Sequence, residues 1–89
     1  MMQVSKDYLL RTIAGETILI PSGAAAQKFN GLVTVNSLGA FIWNVLSQPT
    51  DLDTLVCRIT DEYEVDAETA RRDAEEFLSE LRRLGALED

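Results

Sequence analysis

Histidine is absent from this 89-residue chain, and cysteine occurs once, at Cys57. A lone thiol cannot close an internal disulfide, and without imidazole it has no partner base and no companions for a zinc site. Beside Val56 on an apolar helical spacing, Cys57 is expected to be a small packing residue, and neither a metal site nor a cofactor is expected. No apolar run reaches the ~18 residues of a membrane-spanning helix. The N-terminus also lacks the basic and hydrophobic segments of a secretory signal, so a cytoplasmic protein with no membrane partner is expected. A glycine-rich phosphate loop and a serine-centred nucleophile elbow are missing as well. The adjacent acids Asp61-Glu62, Glu75-Glu76 and Glu88-Asp89 fall on solvent-facing positions and read as charged surface rather than catalytic dyads. The chain is therefore not expected to be an enzyme.

Basic residues are scarce: eight against fifteen acids, a net charge of −7. The imbalance is confined to one half. Residues 1–49 carry three basic and two acidic side chains, and residues 50–89 carry five and thirteen. What the chain does have is an apolar fraction of 46 %, ordinary for a globular domain. Residues 1–89 are expected to form a single domain with one small core, too small for a large enclosed active site.

The hydrophobic pattern changes period along the chain. Tyr8 to Ala14 and Thr17 to Ile20 read as two strands joined by a tight turn at Gly15-Glu16, with Pro21 ending the second. Residues 22–31 read as a loop, with one helical turn over Ala24 to Phe29 as an alternative and a turn at Asn30-Gly31. Leu32 to Val35 is a β-branched run that returns as a third strand. Asn36 or Ser37 then caps a helix to about Ser47, with apolar positions at Leu38, Phe41, Ile42, Val45 and Leu46. Inside it Gly39 sits one turn from Trp43, and a glycine there implies close approach of another element. Trp43 reads as a core-rim residue.

Thr50 and Asp53 have capping-box spacing for a second helix carrying Leu52, Leu55, Val56, Ile59 and Tyr63. Asp66 caps a third helix that runs to about Leu84, with a stripe at Ala70, Ala74, Phe77, Leu78, Leu81 and Leu84 and Gly85 as terminator. Ala86-Leu87 reads as a short extension packing back. Three short strands followed by three helices make an α+β chain of winged helix-turn-helix-like plan.

That plan invites a DNA-binding reading, a winged-helix transcription regulator, which the charge opposes. Phosphate contacts need a basic face, whereas the would-be recognition helix, Asp66 to Leu84, holds six acids against four arginines. No nucleic-acid partner is expected. Arg71 and Arg82 lie three turns apart on one flank beside Ala74 and Leu78. They read either as a solvated face with an Arg71 to Glu75 pair or as anchors for acidic side chains of a bound peptide.

The spacing Arg11-x-Ile13-x-Gly15-Glu16-x-Ile18-Leu19-Ile20-Pro21, then Val35-Asn36-x-x-Gly39-x-x-Ile42-Trp43, Tyr63-x-Val65-Asp66 and Phe77-Leu78-x-x-Leu81-x-x-x-Gly85 resembles the PqqD-like family. Val35 stands where that family commonly has leucine. The resemblance implies a RiPP recognition element, a small peptide chaperone of natural-product biosynthesis. Such proteins bind the leader of a ribosomally made precursor peptide and present it to a modifying enzyme, a radical S-adenosylmethionine protein or a leader peptidase. It also implies that the leader adds as a strand beside the third strand and lies against the third helix. Mapped here, the peptide-binding residues are Leu32, Val33, Thr34 and Val35 with Arg71, Ala74, Leu78 and Arg82.

The residues themselves are compatible with that role, because a short edge strand offers unpaired backbone donors and acceptors. Four or five added hydrogen bonds and two apolar pockets would suffice for micromolar affinity. Small Ala70 and Ala74 leave room for apolar leader side chains or are packed against the sheet. The same edge could instead pair with a second copy, giving a homodimer.

Overall fold

A computed structural model of the chain describes residues 1–23, 26 and 33–89. The expected turn at Asn30-Gly31, the alternative helical turn over Ala24 to Phe29, and Leu32 lie outside or largely outside the described residues. The elements in order are β1 (Gln3–Val4), β2 (Tyr8–Ile13), β3 (Glu16–Pro21), β4 (Val33–Val35), α1 (Ser37–Val45), α2 (Leu52–Glu62), α3 (Ala67–Leu84) and β5 (Leu87–Glu88). This is the expected α+β order of strands followed by helices, with two short strands added at the ends.

β2, β3 and β4 form an antiparallel sheet in that order. The β2–β3 hairpin turns on Ala14 and Gly15, both with positive φ (53° and 82°), as a two-residue turn matched to strand twist requires. Its closing pair is Ile13 with Glu16, and β4 continues the register with Thr17 opposite Val35, Ile18 opposite Thr34 and Leu19 opposite Val33. Alternation sends Tyr8, Leu10, Leu19, Val33 and Val35 to the core face. Tyr8, Leu19 and Val35 are buried there.

Each helix starts on an oxygen cap. Asn36 Oδ1 accepts the Gly39 N–H at 2.8 Å, Asp51 the Thr54 N–H at 2.7 Å and Asp66 the Thr69 N–H at 2.7 Å. The second helix thus departs from expectation, since Asp51 and not Thr50 is the cap. Thr50 is already committed: it is buried, its hydroxyl donates to the Gln48 carbonyl at 2.8 Å, and its backbone bridges to Met2. Gly85, at φ 75°, ends α3 in the left-handed conformation that a glycine adopts without strain.

β1 and β5 pair with each other and close the core from the side away from the hairpin. Val4 N–H donates to the Leu46 carbonyl and Ser5 N–H to the Ala86 carbonyl, so both chain ends are stitched to the helices. Tyr8 Oη donates to the Leu84 carbonyl at 2.6 Å, tying β2 to the last turn of α3.

The core is built from Leu19, Ile42, Leu46, Leu55, Ile59, Leu78 and Leu81, each almost fully buried. Trp43 is in that core at 6 % exposure rather than on its rim, and Cys57 is exposed rather than packed. On α2 the buried side is defined by Leu55, Val56 and Ile59; position 57 falls on the next sector of the wheel and points outward.

Gly39 marks the tightest approach. A Cβ there would stand 2.6 Å from Val35 Cγ1 and 2.9 Å from Phe77 Cε1. The missing side chain lets α1 lie against β4 and α3 at once. Overpacking costs about 1–3 kcal/mol, while alanine returns about 1 kcal/mol of helix propensity. Gly39→Ala is therefore expected to lower the urea midpoint with an unchanged slope; a higher midpoint would show that Val35 and Phe77 yield freely.

The capping hydrogen bonds from Thr54 and Thr69 hold the Asp51 and Asp66 carboxyls below the usual carboxylate range. A depressed folded-state pKa gives stability that is present above the unfolded value, near ~4, and lost as pH falls through the folded one. Asp66→Asn keeps a capping oxygen that does not titrate. Urea melts at neutral pH and near pH ~3 are expected to show a smaller acid-induced loss for Asp66→Asn than for the parent chain. Equal losses would mean that this carboxylate adds nothing to acid sensitivity.

Candidate functional site

The turn geometry decides which backbone groups of β4 are free. In a hairpin closed by a two-residue turn the flanking pair, Ile13 and Glu16, exchanges both hydrogen bonds, so Glu16 points its amide and carbonyl toward β2. One residue on, Thr17 points toward β4 and bonds Val35; Leu19 likewise bonds Val33. Thr34 must then direct its N–H and C=O to the far side. No described residue bonds to either group, and no described strand lies beyond β4.

Immediately after this edge the chain enters α1, and an open cavity of about 400 Å³ begins there. It is lined by Asn36, Leu38, Gly39 and Ile42 from the start of α1 and by Asp73, Glu76 and Phe77 from α3. Gly39 sets its floor, because the absent Cβ leaves Val35 and Phe77 in direct reach. A second cavity of about 70 Å³ adjoins it, sharing Leu38 and Asp73 and otherwise walled by Ile59, Tyr63, Val65 and Ala70. Phe41 and Tyr63 brace the outer side of α1 and α2, edge to face with ring centroids 5.6 Å apart. The two cavities thus form one channel, and β4 leads directly into its first lining residue, Asn36.

The residues mapped onto this function by resemblance are distributed differently from expectation. Val33, Thr34 and Val35 form the edge strand, Thr34 exposed and Val35 buried. Ala74 and Leu78 are not on a groove surface: at 0 % and 1 % exposure they pack in the core, as does Ala70 at 1 %. Of the two readings of these alanines, close packing describes Ala74, whereas the buried Ala70 also contributes to the wall of the second cavity.

Arg71 and Arg82 do not line either cavity. Arg71 donates to Asp53 of α2 at 2.5 Å rather than pairing with Glu75, and that hydrogen bond raises its pKa. Arg82 turns to the opposite end, donating to Asp89 at 3.1 Å and to Met2 Sδ at 3.6 Å. The Asp89 carboxyl is held down by that contact. Arg83 pairs with Glu80, and Arg72 lies 3.8 Å from Asp73. All four arginines of α3 thus have an acid within 4 Å.

The wall of the channel is instead Asp73, Glu76 and Phe77, three and four residues apart on one face of α3. Phe77 was visible in the apolar stripe; Asp73 lies one turn before it and Glu76 immediately precedes it. What sequence did not contain was which flank of the stripe faces β4.

A family model described as coenzyme PQQ synthesis protein D (PqqD) matches residues 14–87. No curated protein matches the chain. Among solved structures, TbiB1 in complex with the TbiA(beta) leader peptide is 26 % identical with a TM-score of 0.76, over 97 % of this chain and 94 % of that one. A lasso peptide synthetase B1 complexed with its leader peptide has the same fold, with a TM-score of 0.76 at 17 % identity, over 99 % of this chain and 98 % of that one. The strand edge, the Asn36-x-x-Gly39 helix entry and the match over nearly the whole length agree: this chain belongs to the PqqD family.

Proposed function

We propose that this protein binds the leader segment of a ribosomally synthesised precursor peptide and presents it to a modifying enzyme without itself catalysing a step. The observation that carries this reading is the outward-facing amide and carbonyl of Thr34, two residues before Asn36, which lines a channel walled by α3. The two solved structures that share the fold were obtained with leader peptides, which supports the same role here.

Strand addition is one of the few ways a small domain can hold an extended peptide, since main-chain pairing supplies affinity and side-chain pockets supply specificity. The register limits what pairing contributes. Within Val33–Val35 only Thr34 presents groups outward, so this strand offers two hydrogen bonds, at roughly 0.5–1.5 kcal/mol each. Micromolar binding needs about 8 kcal/mol, so the remainder must come from side-chain contacts of the leader, among them apolar ones against the half-buried Leu38 and Phe77. The recipient enzyme, a radical S-adenosylmethionine protein or a leader peptidase, would then meet a leader held in fixed register.

The acidic third helix, with every arginine next to a carboxylate, favours a peptide ligand over DNA.

Fluorescence titration of the synthetic leader encoded beside this protein's gene tests the reading. Proline is tolerated on an edge whose N–H faces outward, so Thr34→Pro should keep the fold while removing one donor and obstructing the incoming strand. Binding at least tenfold weaker than the parent, with an unchanged urea midpoint, is expected. Val33→Pro, whose N–H faces β3, should instead destabilise the sheet. Equal affinity for a folded Thr34→Pro protein would exclude strand addition at β4.

A further inference from the structure

The charged lining of the channel points to a particular kind of leader, an inference that rests on the leader-binding reading above. We infer that the peptide accepted here carries a lysine or arginine that seats between Asp73 and Glu76, next to an apolar residue packed on Phe77.

The larger cavity combines three kinds of surface. Leu38, Ile42 and Phe77 are apolar, Gly39 is bare backbone, and Asp73 and Glu76 are the two charged residues that line it. Among the described residues, the facing elements bring no cation. β4 reads Val-Thr-Val, and α1, from Ser37 to Val45, has no charged side chain.

Two positive features near the cavity do not cancel the acids. Arg72 approaches Asp73 no closer than 3.8 Å from an exposed position, and no described residue forms an ion pair with Glu76. The N-terminus of α1 contributes about half a unit of positive charge. Its Gly39 N–H is already satisfied by Asn36, and neither acid caps it. The lining therefore keeps a net negative charge, and an extended peptide seated over it must desolvate two carboxylates. A cationic side chain offsets that cost, whereas an acidic one adds to it.

Position also matters. Asp73 belongs to both cavities, so it sits at their junction. An apolar side chain on either side of the basic one has a place to go, toward Phe77 or toward Tyr63 and Val65. The stem of a lysine or arginine can itself lie along Leu38 while its head meets the acids. This reverses the charge sense expected from Arg71 and Arg82, which are turned away from the channel and engaged elsewhere.

Phage displaying random peptides test the inference without knowledge of the natural precursor. Selection on the full chain is expected to enrich lysine or arginine at one register position flanked by apolar residues, and binding of the selected peptide should be lost in Thr34→Pro. Selection on Asp73→Asn/Glu76→Gln should keep the apolar pattern and lose the basic one. For a synthetic selected peptide, replacing the basic residue by glutamine should weaken binding to the parent chain roughly three- to tenfold, less at high salt, and leave binding to the double variant unchanged.

Enriched peptides without a basic position, or with the same basic preference on the double variant, would overturn the inference while leaving leader binding intact. No enriched peptides, or peptides indifferent to Thr34→Pro, would remove the leader-binding reading and this inference with it.

Discussion

Three elements meet at a position that has no side chain. Gly39 allows Val35 of β4, the start of α1 and Phe77 of α3 to share one small volume, with the nearest side-chain atoms 2.6 and 2.9 Å from where a Cβ would stand. That contact fixes the angle at which the strand feeds the helix. It also brings Phe77 of α3 close to the end of β4, where the channel lined by Asn36 begins. A bulkier residue would push α1 away from the sheet and shift that lining.

The rest of the molecule supports this junction. The hairpin turn at Ala14 and Gly15 sets the hydrogen-bonding phase of β3, which sets that of β4, which in turn leaves the Thr34 groups facing outward. A one-residue slip in that turn would exchange the roles of Thr34 and its neighbours. At the other end, β1 with β5 and the Tyr8 to Leu84 hydrogen bond hold the termini and α3 against the core. The C-terminal end of α3 is held there, and Arg71 ties its N-terminal half to Asp53 of α2, so the Asp73, Glu76 and Phe77 face lies between two restraints.

The long periodic elements were legible in sequence because their burial is periodic. The hairpin strands, three helices, the Asp66 cap, the Gly85 stop and the close approach at Gly39 all follow from spacing and residue chemistry. Asn36, by contrast, was one of two candidate caps with Ser37, and the hairpin turn is Ala14-Gly15, one residue earlier than the expected Gly15-Glu16. β1 and β5 were not legible, since two-residue strands have no period and exist only through their tertiary partners. Thr50 and Asp51 are neighbours with equal capping chemistry, and the long-range bridge from Thr50 to Met2 decides between them. Cys57 missed the core by one position on the wheel.

The site was half legible for a related reason. A helical stripe shows which residues are buried, but not which flank meets which neighbour. Arg71 and Arg82 share a flank of α3 by count, yet one reaches α2 and the other the β1–β5 end, because the helix crosses several elements along its length. The β4 edge was identifiable from the strand itself. The direction of its individual amides needed the register.

Hydrogen exchange at individual β4 amides tests this central feature most directly. In the free protein the Thr34 amide should exchange quickly while those of Val33 and Val35 are protected by β3, and saturating leader peptide should slow Thr34. A Thr34 amide already protected in the free protein, or one that still exchanges quickly at saturation, would contradict an open edge that receives a peptide strand.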